Sequence, residues 1–413
     1  MASKSHMHIL FLTDNFPPEV NAPASRTFEH AKHWVTLGHK VTVITCAPNF
    51  PDGKVFLGYK NRIWQSESIE GIRVIRVWTY ITPNNGFFKR VLDFLSFMFS
   101  SFIAALFIKR FDVVIGTSPQ FFTACSAYMV GLIKRKPFVF ELRDLWPETI
   151  RVVGGSKSRI LLSSLERLEL FLYRKAKLVI AVTHSFRSNL VSRGIDPEKI
   201  KVVTNGVHLD HFNYDHKARV TLREELGWTD NFIVSYIGTH GECQKLETVL
   251  NTADYCQKTS TYSDVRFLFV GSGSQRGNLM RQAHELSNVK FLPQVSKEDV
   301  VGYWSATDLS IVHLVNHEMF KSVIPSKIFE SMAMQIPIAL GVEGEAKTII
   351  NDNNVGLSFK PEDFMGLVGC IDVIMKDKAL IAELKQNCRT SAGKYERNQL
   401  ATNMLYHLES IIK

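Results

Sequence analysis

Cysteine is scarce in this chain of 413 residues, and the short motifs that bind metals or triphosphates are missing from it. The six cysteines show no CxxC spacing and no clustering with histidine, which argues against both a disulfide framework and a zinc site. The sequence contains no HExxH, no GxxxxGK(S/T) and no DxD triplet. These absences disfavour zincins, P-loop kinases and enzymes that hold a nucleotide-bound divalent metal between carboxylates. We therefore expect reduced, buried thiols and a reaction that needs no metal and no other cofactor.

The composition is that of a soluble globular protein with an uneven distribution of charge. Apolar residues make up 45% of the chain and charged residues 22%, and 413 residues suffice for two or three domains. The net charge is +9, but residues 1–206 hold 28 Lys and Arg against 15 Asp and Glu, whereas the remainder holds 21 against 25. A basic first half indicates an anionic partner, such as nucleic acid, phospholipid or a phosphorylated substrate, and uneven surface solvation is the plain alternative.

The order of predicted elements indicates an α/β protein with two similar halves. Residues 1–6 resemble a cloning leader, because a second methionine, Met7, opens directly into an apolar strand, and no signal peptide is expected. Short apolar runs alternate with helix-length segments, as in parallel sheets that are covered on both faces. The predicted strands are His8–Thr13, Val41–Thr45, Ile72–Val77, Asp112–Gly116, Pro137–Phe140, Leu178–Val182 and Ile200–Val203, then Phe232–Ile237, Val265–Val270, Val289–Leu292, Leu309–His313, Pro337–Leu340 and Val355–Phe359. We place a first domain at 7–205 and a second at 206–390, with ligands expected at the carboxyl ends of the strands.

One predicted helix, near 89–110, is unusually apolar. Val91–Ile108 carries a single charge, at Asp93, and is bracketed by Lys89-Arg90 and Lys109-Arg110. Lys89, Asp93, Ser96, Ser100 and Ala104 share one helical face, and the other positions are aliphatic or aromatic. The segment can lie in a membrane interface, pack inside the domain or span a bilayer; the basic flanks and the many phenylalanines favour the interface.

In the first half, polar residues follow three predicted strands. Asn15, Pro18 and Glu19 lie in a proline-containing loop after the first strand, and Ser25 is a candidate cap for the helix that follows. Ser118 ends the fourth strand in a similar way. The densest loop is Phe140–Glu148, where Arg143 and Asp144 lie beyond a buried strand. A role in a site is favoured there, and a structural Arg–Asp arrangement is the alternative.

In the second half, strand–loop–helix junctions combine glycine with lysine. Gly241 and Lys245 follow one strand, and Gly271 follows the next. Glycine lets the backbone approach a ligand, and helix N-termini favour anions. The stronger signal is Pro325-Ser326-Lys327-Ile328-Phe329-Glu330, in which a proline, a candidate capping serine and Lys327 begin a helix and Glu330 follows one turn later. This pattern indicates a diphosphate beside the lysines and a ribose diol on Glu330. Because no carboxylate pair is available for a metal, the residues point to metal-independent glycosyl transfer from a nucleotide sugar.

These motifs resemble those of bacterial family-4 glycosyltransferases over essentially the whole chain from Met7 to Lys413. The stretches that carry the resemblance are Asn15-Phe16-Pro17-Pro18-Glu19, Asn21-Ala22-Pro23-Ala24-Ser25-Arg26, Pro48-Asn49-Phe50-Pro51, Leu142-Arg143-Asp144-Leu145-Trp146-Pro147-Glu148 and Pro325-Ser326-Lys327-Ile328-Phe329-Glu330. The most similar subgroup comprises the L-fucosamine (N-acetyl-L-fucosamine) transferases of O-antigen and capsule assembly.

The resemblance implies a GT-B fold, in which two Rossmann-like, doubly wound parallel-sheet domains face each other across a cleft. It also implies that 391–413 forms a helix that returns to the first domain, that anomeric configuration is retained and that no metal is needed. Gly241, Lys245, Gly271, Pro325, Ser326, Lys327 and Glu330 would bind the donor nucleotide, with Lys245 on the diphosphate and Glu330 on the ribose. Asn15, Pro18, Glu19 and Ser118 would lie on the acceptor side, and Asp144, Arg143 and Lys245 would be catalytic.

Three positions depart from the family pattern. The first Glu of the family's E-x7-E motif falls on Ser322, so the usual carboxylate contact to the donor sugar is missing. The family's Arg after the strand-end glycine falls on Thr239, which leaves Lys245 to supply more of the positive charge. A histidine common in the first domain falls on Arg143, while Asp144 keeps the family pattern.

We therefore expect a transferase that moves a sugar, such as N-acetyl-L-fucosamine or a related N-acetylated sugar, from a UDP-sugar to an undecaprenyl-diphosphate-linked sugar. Its expected location is the cytoplasmic face of the inner membrane, bound peripherally to the anionic surface. A UDP-sugar 2-epimerase and a non-catalytic scaffold of the assembly complex are the alternatives. Nucleic acid is not an expected partner, because the basic residues are spread over the whole first half without a recognition motif.

Overall fold

A computed structural model describes residues 6–50, 52–82, 87–145, 158–296 and 298–412, with 87 and 88 described by backbone alone. The chain divides into two compact units. Unit 1 comprises Met1–Asn205 with Arg397–Lys413, and unit 2 comprises Gly206–Glu396.

Unit 1 contains an eight-stranded sheet in the order β3-β4-β2-β1-β5-β6-β7-β8. Its strands are β1 (His8–Leu12), β2 (Lys40–Cys46), β3 (Trp64–Ile69), β4 (Ile72–Val77), β5 (Val113–Thr117), β6 (Phe138–Leu142), β7 (Leu178–Ala181) and β8 (Ile200–Val202). Its helices are α1 (Ala22–Thr36), α2 (Phe87–Leu106), α3 (Phe121–Lys134), α4 (Arg159–Lys175) and α5 (His184–Ser192), and the C-terminal α14 (Arg397–Ser410) completes the unit. Neighbouring strands are parallel except at the β3–β4 pair.

Unit 2 contains a six-stranded parallel sheet in the order β11-β10-β9-β12-β13-β14. Its strands are β9 (Phe232–Ile237), β10 (Val265–Val270), β11 (Val289–Leu292), β12 (Leu309–His313), β13 (Ile338–Gly341) and β14 (Gly356–Ser358). Its helices are α6 (His216–Leu226), α7 (Glu247–Lys258), α8 (Arg276–Gln282), α9 (Val300–Ala306), α10 (Lys327–Ala333), α11 (Glu345–Asn353), α12 (Phe364–Lys376) and α13 (Lys378–Ala392). The prediction of two Rossmann-like parallel-sheet domains is confirmed.

The central strands are buried on both faces, which explains why apolar runs predicted them. In β1, β5, β6 and β7 nearly every side chain is withdrawn from solvent, because helices cover both sides of the sheet. The sequence prediction missed β3, the antiparallel edge strand. Its residues alternate between exposed and half-buried, so the segment has no apolar run to mark it.

Helix α1 begins earlier than predicted, and Ser25 does not cap it. The cap is Asn21, whose side-chain oxygen accepts a hydrogen bond from the backbone N–H of Ala24 at 2.9 Å. Ser25 already lies inside the helix and is buried. Asparagine before Ala22-Pro23 satisfies the cap geometry, and the proline fits the first helical turn, where no N–H is needed.

The C-terminal helix α14 packs against α1 in unit 1. It buries Ala401, Met404, Leu405 and Leu408 in the core that lies under α1 and the sheet. The indole N–H of Trp34 donates to the carbonyl of Ala401 at 2.8 Å. The end of the chain is therefore a structural part of the unit that its beginning forms.

Helix α2 contacts the protein with the face that carries its polar residues. The Thr79 hydroxyl lies 2.8 Å from Asp93 Oδ1, and Ser96 Oγ accepts from the backbone N–H of Tyr80 at 2.7 Å. Phe97 and Ala104 are buried in the sheet-side core. Large apolar side chains on the other side remain exposed. No described helix has the length and hydropathy that would be needed to span a bilayer.

Candidate functional site

Two glycine-containing loops at the carboxyl ends of β9 and β10 fit against each other in unit 2. The backbone N–H of His240 donates to Ser272 O at 2.8 Å, and the N–H of Gln275 donates to His240 O at 2.9 Å. Gly271 has a φ of 143°, and a Cβ there would collide with the carbonyl of Gly238. Gly271, a predicted binding residue, must therefore lack a side chain so that the two loops can pack together. This requirement holds independently of any contact that Gly271 makes with a ligand.

Lys327 projects its amino group toward the end of β9. Its Nζ lies 3.6 Å from the ring centroid of Tyr236, a cation–π contact. A Cβ placed on Gly238 would lie 3.0 Å from the same nitrogen, so the missing side chain at Gly238 makes room for the amino group. Burial lowers the pKa of Lys327 to about 7, although the Glu330 carboxylate opposes the shift. The amino group is therefore poised to gain stability from an anion that reaches this loop.

The residues that precede α10 differ from the prediction in one detail. Ser326 stands at the N-cap position but makes no side-chain capping bond, and its backbone carbonyl accepts from the N–H groups of Phe329 and Glu330. Pro325 O accepts from the N–H of Ile328 at 3.1 Å. The Ser326 hydroxyl is not used to close the helix, and Glu330 follows Lys327 by one turn.

Lys245 ends the short 3₁₀ turn Glu242–Gln244 in the same loop region. Its φ is +46°, a left-handed conformation that glycine adopts more readily than lysine. The turn is fixed by Gln244, whose side-chain oxygen accepts from the N–H of Gly241 at 3.0 Å, and by His313, whose Nδ1 lies 2.8 Å from Gln244 O. The structure thus places Gly241 and Lys245 in one tightly held loop.

His240 and Arg276 belong to this region but were not predicted. The His240 ring is fully buried between Tyr236, Phe269 and Phe291, and neither ring nitrogen has a hydrogen-bond partner in the described part of the chain. Burial, together with the charges of Lys327 and Arg276, lowers the pKa of His240 to about 4. The imidazole is therefore neutral at pH 7, and Arg276 is a second cation beside the loops. The sequence signal that could have identified Arg276 is its position three residues after Gly273.

In unit 1, Ser118 joins the loops that follow β5 and β6. Its hydroxyl oxygen accepts from the N–H of Arg143 at 2.7 Å and from the N–H of Asp144 at 3.2 Å. Ser118 is buried, and its own N–H donates to Glu141 O at 3.1 Å. The structure therefore places Ser118 as a residue that positions Arg143 and Asp144.

Arg143 and Asp144 occupy a low-dielectric environment at the end of β6. Burial lowers the pKa of Arg143 to about 10, although Glu141 and Asp144 oppose the shift. Burial likewise raises the pKa of Asp144 to about 6, against the effect of Arg143. The Arg143 guanidinium also donates to Pro23 O at 3.2 Å. Trp146, Pro147 and Glu148, the rest of the predicted loop motif, lie outside the described residues.

Glu141 forms a structural ion pair behind this loop. Its Oε1 accepts from Arg26 Nε at 2.9 Å, and both side chains are buried. Arg26 also donates to the carbonyls of Val203 and Thr204 at 2.9 and 2.6 Å. Although burial acts in the opposite direction, the nearby Arg26 and Arg143 lower the pKa of Glu141. Arg26 therefore ties α1 to β6 and to the segment after β8.

Glu19 lies in a second group of carboxyl side chains, at the ends of β1 and β2. Its Oε1 accepts from the N–H groups of Asn49 and Phe50 at 2.7 and 2.9 Å, and its Oε2 is buried without a partner in the described part of the chain. Burial raises the pKa of Glu19 to about 7, and the charge of Asp14 adds to the shift. Asp93, which the prediction assigned to a membrane helix, has its pKa raised to about 6 by burial, and Asp14 contributes there too.

The other two predicted acceptor-side residues lie in the same loop. Asn15 accepts through its side-chain oxygen from Asn21 Nδ2 at 2.6 Å, which links the loop to the cap of α1. Pro18 is exposed and follows Pro17 through a cis peptide bond. Asp14 and Asp93 were not among the predicted site residues; Asp93 is distant in sequence, and only the packing of α2 brings it near Asp14. Within the described ranges, no group of three or more His, Cys, Asp or Glu side chains could hold a metal ion.

Comparisons with known proteins match this chain to two glycosyltransferase family models and to a protein named as a glycosyl transferase. Residues 24–211 match the family model described as Glycosyltransferase Family 4, and residues 231–377 match the model described as Glycosyl transferases group 1. The chain is 25% identical over 393 residues to WcaI of Escherichia coli K12, named as a colanic acid biosynthesis glycosyl transferase; the match covers 92% of each protein.

Solved structures share the fold at low identity. HepE from Anabaena, in complex with UDP and glucose, matches with a TM-score of 0.74 and 18% identity over 98% of this chain and 100% of that one. Sucrose-phosphate synthase from Thermosynechococcus elongatus matches with a TM-score of 0.72 and 18% identity over 97% of this chain and 98% of that one. These likenesses establish a shared architecture of two Rossmann-like units.

Proposed function

Because this chain is a glycosyltransferase of the GT-B type, with a family-4 domain followed by a group-1 domain, we propose that it transfers a sugar from a UDP-sugar to an undecaprenyl-diphosphate-linked sugar. The reaction would serve the assembly of a bacterial surface polysaccharide, for which the likeness to WcaI is the support. An N-acetylated sugar such as N-acetyl-L-fucosamine is the donor sugar that we propose from the motif resemblance. The UDP part is supported by HepE, which was solved with UDP and with UDP-glucose.

The observation that carries the proposal is the position of Lys327. Its amino group lies at the glycine-containing end of β9 against Tyr236, and Glu330 stands one helical turn away. A diphosphate at this loop would meet the lysine charge directly, and the Glu330 carboxylate is the group that we propose for the ribose hydroxyls. Gly241, Lys245, Gly271, Pro325 and Ser326 would complete the backbone and side-chain surroundings of the nucleotide.

We propose that departure of UDP is assisted by lysine charge, without a metal. In the transition state negative charge grows on the diphosphate oxygens, and fixed cations stabilise that charge more than they stabilise the ground state. Lys327 supplies one such cation, and Lys245 and Arg276 lie in the neighbouring loops. Retention of anomeric configuration is part of the same proposal.

On the acceptor side, we propose that Asp144 lies near the reacting hydroxyl and that Arg143 helps to orient it. Burial raises the pKa of Asp144 to about 6, so that it is a stronger base than an exposed carboxylate. Asn15, Pro18 and Glu19 would contact the acceptor, with Ser118 holding the Arg143–Asp144 backbone in place.

The exposed side of α2 supports a peripheral position on an anionic membrane. Its polar residues face the protein, and its exposed side chains are large and apolar. We propose that this face lies in the interface of the cytoplasmic leaflet of the inner membrane, where a lipid-linked acceptor would be available.

The test is UDP release by purified protein with a panel of UDP-sugars and a lipid-linked acceptor. Lys327→Ala and Glu330→Gln should each lower kcat/KM by about 100-fold or more, as expected for loss of one charged contact to the reacting nucleotide. Lys376→Ala, which removes an exposed lysine of α12, is the matched control and should leave the rate unchanged.

Other outcomes would overturn the proposal. Isomerised UDP-sugar in the absence of acceptor would identify an epimerase. Unaltered polysaccharide output in cells that carry Lys327→Ala and Glu330→Gln would identify a scaffold. Nuclear magnetic resonance of the product's anomeric centre would decide between retention and inversion.

A further inference from the structure

The exposed apolar face of α2 extends beyond the last residue of the helix. Four large apolar residues project from it over its length and its end: Leu92, Phe99, Ile103 and Phe107. Phe107, just after the last helical residue, has 71% of its side chain exposed. Large apolar patches such as this stripe are unusual on the surfaces of soluble proteins. Where they occur, they mark interaction sites.

The stripe continues onto the edge strand β3 through an aromatic contact. The rings of Phe107 and Trp64 lie 6.4 Å apart and meet edge to face, at 87°. Trp64 is the first residue of β3 and is 40% exposed, and Ile63 immediately before it is 85% exposed. Two elements distant in sequence therefore join their exposed apolar residues into one patch, and the indole of Trp64 makes the contact between them.

Exposed basic residues lie close in sequence to the apolar residues of the patch. Arg62 flanks Ile63 and Trp64, and Lys109 and Arg110 follow Phe107. All three basic side chains are exposed, and none forms an ion pair with a described residue. Lys134 of α3 also lies at the C-terminal end of α2, where its Nζ donates a hydrogen bond to Leu106 O at 2.7 Å. The patch thus offers large apolar side chains beside unneutralised cations.

We propose that Trp64, Ile63 and Phe107, with Arg62, Lys109 and Arg110, form an aromatic–basic anchor that inserts into the headgroup region of an anionic phospholipid bilayer. Indole is suited to this depth, because its apolar body favours the acyl boundary while its N–H stays near polar headgroups. The three cations would attract the negative surface of the leaflet. This inference rests on the proposed function, since it names the partner of the α2 face and adds an edge strand to it.

The anchor also makes sense of the exposed edge of the sheet. Edge strands are protected against pairing with other chains when they are short, charged or covered. Strand β3 has only six residues, and a bilayer against its first residue would cover the apolar part. A second copy of the chain and an acidic protein are the competing occupants of this surface, and vesicle binding by the variants distinguishes them from a bilayer.

The experiment measures tryptophan fluorescence of the full chain with phosphatidylglycerol vesicles and with phosphatidylcholine vesicles. Phosphatidylglycerol should shift the emission to shorter wavelength, and brominated phosphatidylglycerol should quench it. Trp64→Phe should abolish most of that shift. Trp78→Phe is the matched control, because Trp78 is 41% exposed and lies outside the anchor.

The charge part is tested by the combined variant Arg62→Ala, Lys109→Ala and Arg110→Ala. Its partitioning onto phosphatidylglycerol vesicles should fall by about 100-fold in sedimentation, from the attraction that each basic residue near an anionic surface contributes. Its thermal unfolding temperature should stay unchanged, since the three side chains are exposed. Wild-type partitioning should be much weaker on phosphatidylcholine.

Three results would each overturn the anchor. The first is a vesicle-induced fluorescence shift that survives in Trp64→Phe, and the second is equal binding to phosphatidylglycerol and phosphatidylcholine vesicles. The third is a dimer of the wild-type protein that disappears in the variants. Its failure can be told apart from failure of the transferase proposal. Trp64→Phe should retain transfer to a soluble, short-chain acceptor analogue, and Lys327→Ala should still bind vesicles.

Discussion

At the scale of single residues, the proposed donor site of unit 2 depends most on one lysine. Lys327 was predicted from the Pro325–Glu330 pattern, but only the fold reveals that its Nζ lies against Tyr236 and above Gly238. An amine with an ordinary pKa would always be charged at neutral pH. Burial lowers the pKa of this one to about 7, so that its charge depends on what binds beside it.

The affinity for UDP should therefore depend on pH through Lys327. The bound diphosphate favours the charged amine, so the pKa of Lys327 should be higher in the complex than the value of about 7 in the free protein. The affinity for UDP should be highest below about pH 7 and should fall by about tenfold per pH unit above it. The decrease should stop once the pH exceeds the pKa of Lys327 in the complex. His240, with a pKa of about 4, stays neutral in this range and does not add to the pH dependence.

Calorimetry at pH 6, 7 and 8.5 in buffers of different ionisation enthalpy would measure both the affinity and the proton uptake. Lys327→Arg is the control, because arginine stays charged and the pH dependence should disappear. An affinity for wild-type protein that is constant from pH 6 to 8.5 would contradict this assignment.

A second residue-scale prediction concerns the buried pair Arg26–Glu141. Arg26→Ala should lower the free energy of unfolding by about 3–5 kcal/mol, because it leaves a buried carboxylate without its partner. Denaturant unfolding measures the change. Lys32→Ala is the control, since it breaks the exposed Lys32–Glu70 pair and should cost less than about 1 kcal/mol. Similar losses for the two variants would show that the Arg26 network adds little.

At the scale of elements, α2 shows where periodicity stops being informative. The sequence places Asp93 and Ser96 on one helical face and the phenylalanines elsewhere, but it leaves open which face meets the rest of the protein. In the structure that polar face meets Thr79 and Tyr80, and the side toward solvent is apolar. Periodicity defines which residues share a face; neighbouring elements decide which face is covered.

The phenylalanines of α2 should therefore behave differently on substitution. Phe97→Ser should destabilise the protein by about 3–5 kcal/mol, because Phe97 is fully buried in the core. Phe99→Ser should leave stability nearly unchanged and reduce partitioning onto anionic vesicles, because Phe99 is exposed. Thermal unfolding and vesicle sedimentation would measure the two effects, and an exchange of roles between the two residues would refute this account of the helix.

At the scale of the whole molecule, the basic half of the sequence forms most of unit 1, which carries the proposed anchor and the exposed face of α2. The end of the chain also belongs to that unit, since α14 packs against α1 and buries four apolar side chains there. Unit 2 instead contains Lys327, Glu330 and the two glycine loops. The division of charge thus follows the division that we propose, with the acceptor and the membrane on unit 1 and the nucleotide on unit 2.

Removal of residues 397–413 should affect the two units unequally. Unit 1 would lose Met404 and Leu408 from its core, so its amides should exchange hydrogen much faster, whereas protection in unit 2 should persist. Hydrogen-exchange mass spectrometry measures both units in one sample, and UDP titration checks that unit 2 still binds. Uniform loss of protection would instead show that the two units fold as one.

The sequence by itself determined the alternation of strands and helices, the two sheets and the Lys327–Glu330 motif, because buried strands and helix starts leave local signals in composition and spacing. It missed β3, which has no buried face, and it misassigned the cap of α1, since Asn21 and Ser25 have similar capping chemistry. Only the tertiary structure decided that Ser118 positions Arg143 and Asp144, that His240 lies buried beside Lys327, and that Phe107 meets Trp64. Each of these pairs residues on different elements, and their proximity follows from packing between segments, which local propensity does not encode.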